Sequence, residues 1–334
     1  MDNTDSKQAQ RVMEIDFSNL MDLRVDYAFK QLFGTGDTLF LKSLLNSIFA
    51  NKKLPRIIKS LTVENPYLEK RSRGDKLSIL DIRAQLDDGS TTLIEMHLYD
   101  LEDLKYKTIR SWARVYGEEL KKGEEYSTQP PVICISFVNG SLNDDGKQKI
   151  HKCCMIMDID DHTTFSDCLE LHYIDMKAFV EAINKIGSIG IGEVEEIMLA
   201  KWLAVITEKD IKDKTIIENI CKEQEAIGMA ISTLAKLSED KIIRQAYQKR
   251  QDEIMLINST INNYKRKAEQ GMRKAEQEMR RAEQAESALE EKDAALAEKD
   301  AVLAEKDAVL AEKNAALASQ ARLIVELRSQ LDIK

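Results

Sequence analysis

A chain of 334 residues with 43% apolar content is long enough for one or two domains with a substantial core. Its net charge of -9 excludes a wholly basic nucleic-acid coat, so any DNA contact has to come from a local basic patch. Five cysteines without framework spacing exclude a disulfide scaffold and point to free thiols. The opening Met1-Asp-Asn-Thr-Asp-Ser-Lys-Gln8 has no apolar leader run, and no stretch approaches the ~18 apolar residues of a membrane span. The expected setting is the cytoplasm, with no membrane contact.

Residues 1–16 are polar and expected to be disordered. From Asp22 to Phe49 the apolar positions Ala28, Phe29, Leu32, Phe33, Leu41, Leu44, Leu45 and Ile48 recur at helical spacing, predicting two helices broken at Gly34-Thr-Gly36. Asp26 falls in the first turn, where the helix dipole favours an acid with no further role. Lys52, Lys53, Arg56, Lys59, Lys70, Arg71, Arg73 and Lys76 then form a basic lead-in. It reads either as a grip on a phosphate backbone or as an ordinary solvated loop.

The segment Leu77–Leu98 is two alternating runs joined by a turn, the pattern of a β-hairpin. Leu80, Ile82, Ala84 and Leu86 alternate with Asp81, Arg83 and Gln85, and Ile94, Met96 and Leu98 with Leu93, Glu95 and His97. If the loop is Asp87-Asp88-Gly89 with a left-handed glycine, Leu86 pairs with Ser90 and Asp81 falls opposite Glu95. A two-residue Asp88-Gly89 turn puts the two acids on opposite faces instead. Opposed carboxylates repel, a penalty that a divalent cation removes, and Mg²⁺ prefers carboxylate oxygens.

Leu101–Lys122 reads as a helix ended by Gly123, with Ile109, Trp112, Ala113, Tyr116 and Leu120 as its buried stripe. Lys107, Arg110 and Arg114 share another face and are candidates for DNA phosphates or for plain solvation. Val132–Val138 is nearly all apolar, as in a strand covered on both faces, which suggests a mixed sheet. Shorter strands are predicted at Cys153–Ile159 and Leu169–Ile174. His151, Cys153, Cys154, His162, Cys168 and His172 lack the CxxC spacing of structural zinc sites and read as buried thiols and scattered histidines.

Met176–Tyr264 has a helical pattern, with Met198, Leu199, Trp202, Leu203 and Ile206 as an amphipathic face expected to pack on the core. Beyond it Ala268, Ala275, Ala282, Leu289, Leu296, Leu303, Leu310, Leu317, Ile324 and Leu331 recur every seventh residue. This predicts one long helix running as a coiled coil, although Glu286, Asp293, Asp300, Asp307 and Asn314 occupy the second seam position. A loose homodimer or other helix partner is weighed against a solitary charged helix.

Asp81 and Glu95-Met-His97 resemble the D…E-x-K site of the PD-(D/E)XK nucleases, in the recombination-promoting nuclease (Rpn), or nuclease-family transposase, branch. Further matching segments are Asp26-Tyr-Ala-Phe-Lys-Gln-Leu-Phe33, Arg110…Tyr116…Leu120-Lys-Lys-Gly-Glu-Glu-Tyr126, Pro131-Val-Ile-Cys-Ile-Ser136, Leu169-Glu-Leu-His-Tyr-Ile-Asp-Met-Lys177 and Tyr247-Gln-Lys-Arg250. His97 departs from the branch, which usually has Gln there, and from the superfamily, which has Lys.

The resemblance implies an α/β fold, a restriction-endonuclease-like mixed sheet flanked by helices, with a nuclease-like core at 17–180, a helical region at 181–264 and a coiled coil at 265–334. It implies a DNA endonuclease using Mg²⁺, with Mn²⁺ as a substitute, in recombination or mobile elements. Asp81 and Glu95 would hold the metal, His97 would position or deprotonate water, and Asp26 would be a further acid. Arg110 is the foremost phosphate contact among the three basic helix residues. A catalytically degenerate nuclease fold serving DNA binding or coiled-coil assembly is the alternative.

Overall fold

The computed structural model describes residues 16–35, 37–50, 56–64, 67–68, 78–79, 81–97, 103–120, 123–140, 149–186 and 197–331. The expectations for residues 1–15, Gly36, Leu80, Leu98 and Leu101, and for Lys52, Lys53, Lys70, Arg71, Arg73, Lys76, Lys121 and Lys122, lie outside these. The chain divides into two compact units, Met1–Ile254 and Met255–Lys334.

Two short helices open the first unit, α1 (Asp26–Phe33) and α2 (Thr38–Phe49). Alternating spacings of three and four put Ala28, Phe29, Leu32 and Phe33 on one buried stripe. Gly34 caps α1, and the Asp37 carboxylate accepts the Leu39 N–H at 2.9 Å to start α2.

Strands β1 (Leu61–Glu64), β4 (Ile82–Leu86), β5 (Thr91–His97), β6 (Val132–Val138), β7 (His151–Met157) and β8 (Thr164–Asp175) form a six-stranded sheet in the order β1-β4-β5-β6-β8-β7. A separate two-stranded ladder pairs β2 (Tyr67–Leu68) with β3 (Ser78–Ile79). β5, β6 and β8 run parallel while β1, β4 and β7 run antiparallel to their neighbours, so the sheet is mixed, as β6 suggested. β6 is buried at all seven residues. β7 and β8 begin earlier than predicted, and β8 is twice the predicted length because its polar first half pairs with β7.

One sheet face carries Ile82, Ala84, Ile94, Ile133, Ile135, Phe137 and Ile174 into the main core, under α1, α2 and α5 (Ile197–Ile206). The other carries Leu93, Cys134, Val138, Leu171 and Tyr173 under α3 (Leu104–Glu119). The stripe predicted for α3 is right in part: Trp112 and Tyr116 pack half-buried on this core, but Leu104, Thr108, Ser111 and Val115 are the buried residues and Ile109 and Ala113 are exposed. α3 covers polar strand positions, and Thr108 Oγ1 lies 3.5 Å from Ser136 Oγ, so small hydroxyls face the sheet. A search for apolar periodicity cannot see such a face.

α4 (Met176–Ile186), α5, α6 (Thr215–Glu223), α7 (Glu225–Glu239) and the start of α8 (Lys241–Leu331) complete the helices. Leu199, Ala200, Trp202, Leu203, Ala204, Val205 and Ile206 are all buried, so α5 is a central core helix rather than an amphipathic cover. Trp202 meets the Phe33 ring edge-on with centroids 5.6 Å apart, and its Nε1–H donates to Ser43 Oγ at 3.2 Å. The final helix begins at Lys241, well before the heptads, and from Met255 it forms the second unit. Among the described residues no helix is long and apolar enough to cross a membrane.

Candidate active site

The hairpin register follows from its loop. Gly89 has φ +87° and donates its N–H to Leu86 O at 3.0 Å, while Leu86 N–H donates to Ser90 O at 2.9 Å. Asp88 accepts from Ser90 N–H at 2.9 Å, and Asp87 accepts from Lys59 N–H at 3.1 Å. This is the three-residue loop, and a side chain at position 89 would be strained in that backbone region. The ladder pairs Ile82 with Ile94 and Arg83 with Leu93 and ends there; Asp81 lies just before the strand, and its Oδ2 accepts the Met96 N–H.

That polar side of the hairpin is roofed by α3. Glu119 fixes the roof, with Oε1 accepting from Thr91 Oγ1 at 2.8 Å and from Arg83 Nη2 at 3.1 Å. Glu95 and His97 are both buried, and Glu95 Oε2 lies 3.1 Å from His97 Nε2 and 2.8 Å from Lys107 Nζ. Burial alone would raise the Glu95 carboxyl, but the contacts with His97 and Lys107 outweigh it and hold the group below the usual carboxylate range.

Asp81 behaves in the opposite way. Burial, reinforced by the negative charges of Asp26 and Glu95, pushes its carboxyl up to about 7, although Met96 N–H donates to Oδ2 at 2.5 Å and opposes the shift. Two neighbouring buried acids whose carboxyls are shifted in opposite directions mark a candidate functional site. Asp81 and Glu95 together offer two hard oxygen donors, a set that fits Mg²⁺, which keeps water and substrate phosphate as its other ligands.

Asp26 reaches the neighbourhood from α1, and its own partner is distant in sequence. Arg250 on α8 grips it from two sides, with Nε 2.8 Å from Oδ1 and Nη2 2.5 Å from Oδ2. Tyr247, one helical turn earlier, accepts the Asp22 N–H at its hydroxyl at 3.0 Å. The two sequence segments around Asp26 and Tyr247 are therefore halves of one contact. Sequence patterning gave no sign of it, because nothing local links residues 224 positions apart.

The three basic residues of α3 do not act as one face. Lys107 turns to Glu95, Arg110 is exposed, and Arg114 is partly buried with Nε 3.5 Å from Glu118 Oε1. Arg56 of the basic lead-in is not a free phosphate grip either, since it lies 3.2 Å from Asp88 and 3.5 Å from Glu170. None of the five cysteines is joined in a disulfide. The ladder nevertheless gathers Cys153, Glu170 and His172, whose ligand atoms all lie within 4.8 Å of one another. Cys154, Cys168 and His162 stay outside that group.

No curated protein and no solved structure matches the chain. The family model for PD-(D/E)XK nuclease family transposases matches residues 23–263, a span running from α1 and its acid through the hairpin to the Tyr247–Arg250 segment. The chain belongs to the PD-(D/E)XK nuclease family transposases.

Proposed function

We propose that the chain is a Mg²⁺-dependent DNA endonuclease, with Mn²⁺ able to substitute, hydrolysing phosphodiester bonds in the cytoplasm in a recombination or mobile-element setting. The observation that supports this reading is a buried Glu95 in contact with Lys107 at 2.8 Å, with Asp81 beside it on the Met96 N–H and its carboxyl raised in part by the Glu95 charge. Asp81 and Glu95 would hold the metal, which when bound orients water and stabilises charge on the scissile phosphate. Lys107 keeps Glu95 ionised and brings a positive head to the place where phosphate charge would develop. His97 buttresses Glu95 from the strand, and its imidazole would position or deprotonate the attacking water. Asp26 adds negative potential, restrained by Arg250, and Arg110 is the exposed contact for the DNA backbone.

Leu289, Leu296, Leu303, Leu310 and Leu317 are each about 60% exposed on the second unit, a stripe that suits a second copy of the same helix. Cleavage of supercoiled plasmid with Mg²⁺ tests the enzymatic reading. The wild type should nick and linearise DNA while Asp81→Ala and Glu95→Gln do not. Equal cleavage by all three, or by none, would leave a nuclease fold that binds DNA or assembles without cutting.

A further inference from the structure

A second constellation lies on the opposite face of the sheet from Glu95 and His97. β7 and β8 run antiparallel with Cys153 facing His172 and Met155 facing Glu170. Because alternate residues share a face, Glu170 and His172 stand side by side on β8, and His151 and Cys153 on β7. The β6 partners of Glu170 and His172 are Ile133 and Ile135, both in the main core, and His172 meets the Phe49 ring edge-on with centroids 5.3 Å apart. His172 is fully buried and Glu170 is 2% exposed.

His172 Nε2 lies 2.7 Å from Glu170 Oε1, and His172 Nδ1 lies 2.8 Å from His151 Nε2. The other Glu170 oxygen, Oε2, is buried and makes no hydrogen bond, and neither does the Arg56 Nη1 that stands 3.5 Å from it. Glu170 Oε2 is thus held only by an ion pair too long for a hydrogen bond, an acceptor among imidazoles and a thiol that can still take a metal.

We propose that Cys153, Glu170 and His172 bind one zinc ion that pins the edge strand β7 to β8. A thiolate, an imidazole and a carboxylate are the donor types zinc takes, whereas Mg²⁺ avoids sulfur. Ligand atoms around tetrahedral zinc sit about 3.5 Å apart, so a group already within 4.8 Å needs only a small contraction. His172 coordinates through Nε2, the nitrogen beside Glu170, and its Nδ1–H then donates to His151, the kind of outer contact that orients metal-bound histidines. Binding displaces the Cys153 thiol proton to solvent, and the His172 Nε2 proton that faces Glu170 is lost while Nδ1 takes one from His151, which regains a proton from solvent, so both imidazoles stay neutral. The divalent ion and Arg56 are then balanced by the Cys153 thiolate, Glu170 and Asp88, so no net charge is stranded.

The experiment uses the full chain, loaded with ZnCl₂, gel-filtered and analysed for metal by mass spectrometry. The wild type and Asp81→Ala should each retain about one zinc, while Cys153→Ala and His172→Gln retain almost none. Cobalt loading should give a thiolate charge-transfer band in the wild type that is absent from Cys153→Ala. As a check on folding, in EDTA the wild type and Cys153→Ala should melt at similar temperatures, and zinc should raise only the wild-type melting temperature. Failure of the wild type to retain zinc, equal retention by Cys153→Ala, or loss in Asp81→Ala alone would each overturn the proposal. Of these outcomes only zinc loss confined to Asp81→Ala bears on the other face, where it would place the ion at the proposed cleavage site.

Discussion

Lys107 on α3 donates to Glu95 Oε2 on β5 at 2.8 Å, placing an ammonium group beside the acid whose strand carries His97 two residues on. Lysine is thus present at the site although the strand position has none, and it comes from a helix.

Removing that charge while keeping the side chain's bulk isolates its role. Lys107→Met is expected to lower kcat for plasmid nicking by about 10²-fold, the scale for losing one group that stabilises transition-state charge. Binding to uncleaved DNA should change little. A large loss of affinity with kcat intact would make Lys107 a phosphate contact only.

The Asp81 carboxyl, raised by burial and by its acidic neighbours to about 7, sets a pH dependence. A raised carboxyl favours the protonated fold, so this stabilisation is complete below the ordinary carboxylate range and is lost as pH rises through about 7. Asp81→Asn cannot ionise, and should be more stable than the wild type at pH 8 by of order 2 kcal/mol, with the gap narrowing at pH 5 and closing below the ordinary carboxylate range. Urea denaturation at the two pH values measures this. Mg²⁺ should narrow the gap at pH 8 by stabilising only the wild type.

Arg250 neutralises Asp26, one of the groups that raises Asp81. Arg250→Ala should therefore cost about 1 kcal/mol in stability and shift the rising limb of the pH–rate profile to higher pH, since Asp26 then repels the ionised Asp81 more strongly. A profile that loses amplitude without moving would assign Arg250 to folding alone.

Arg110, exposed on the roof helix, is expected to act on DNA without acting on chemistry. Arg110→Ala should weaken binding to unrelated sequences alike and reduce the slope of log affinity against log salt by about 1. An unchanged slope would remove it from the interface.

The hairpin was legible because its loop chemistry is local: of the two turns open to Asp87-Asp88-Gly89, the three-residue loop with a left-handed Gly89 forms, pairing Leu86 with Ser90. β6 was legible because burial on both faces writes an unbroken apolar run. α3 was misread in part because its buried Thr108 and Ser111 do not register as core. The Asp26–Arg250 grip and the Cys153–Glu170–His172 group were invisible for a different reason. Both depend on which strands and helices become neighbours, and spacing rules built on ligands close in sequence do not describe ligands on opposite rungs of a ladder.

The Asp26–Arg250 grip also orders events during synthesis. On the ribosome, Asp81, Glu95 and Lys107 have all emerged and can pair long before codon 250 is read, so for most of translation Asp26 has no guanidinium to answer its charge. A nascent chain whose sheet has already closed around Asp81 would hold an over-acidic centre until the last stretch of the first unit docks and Arg250 meets Asp26.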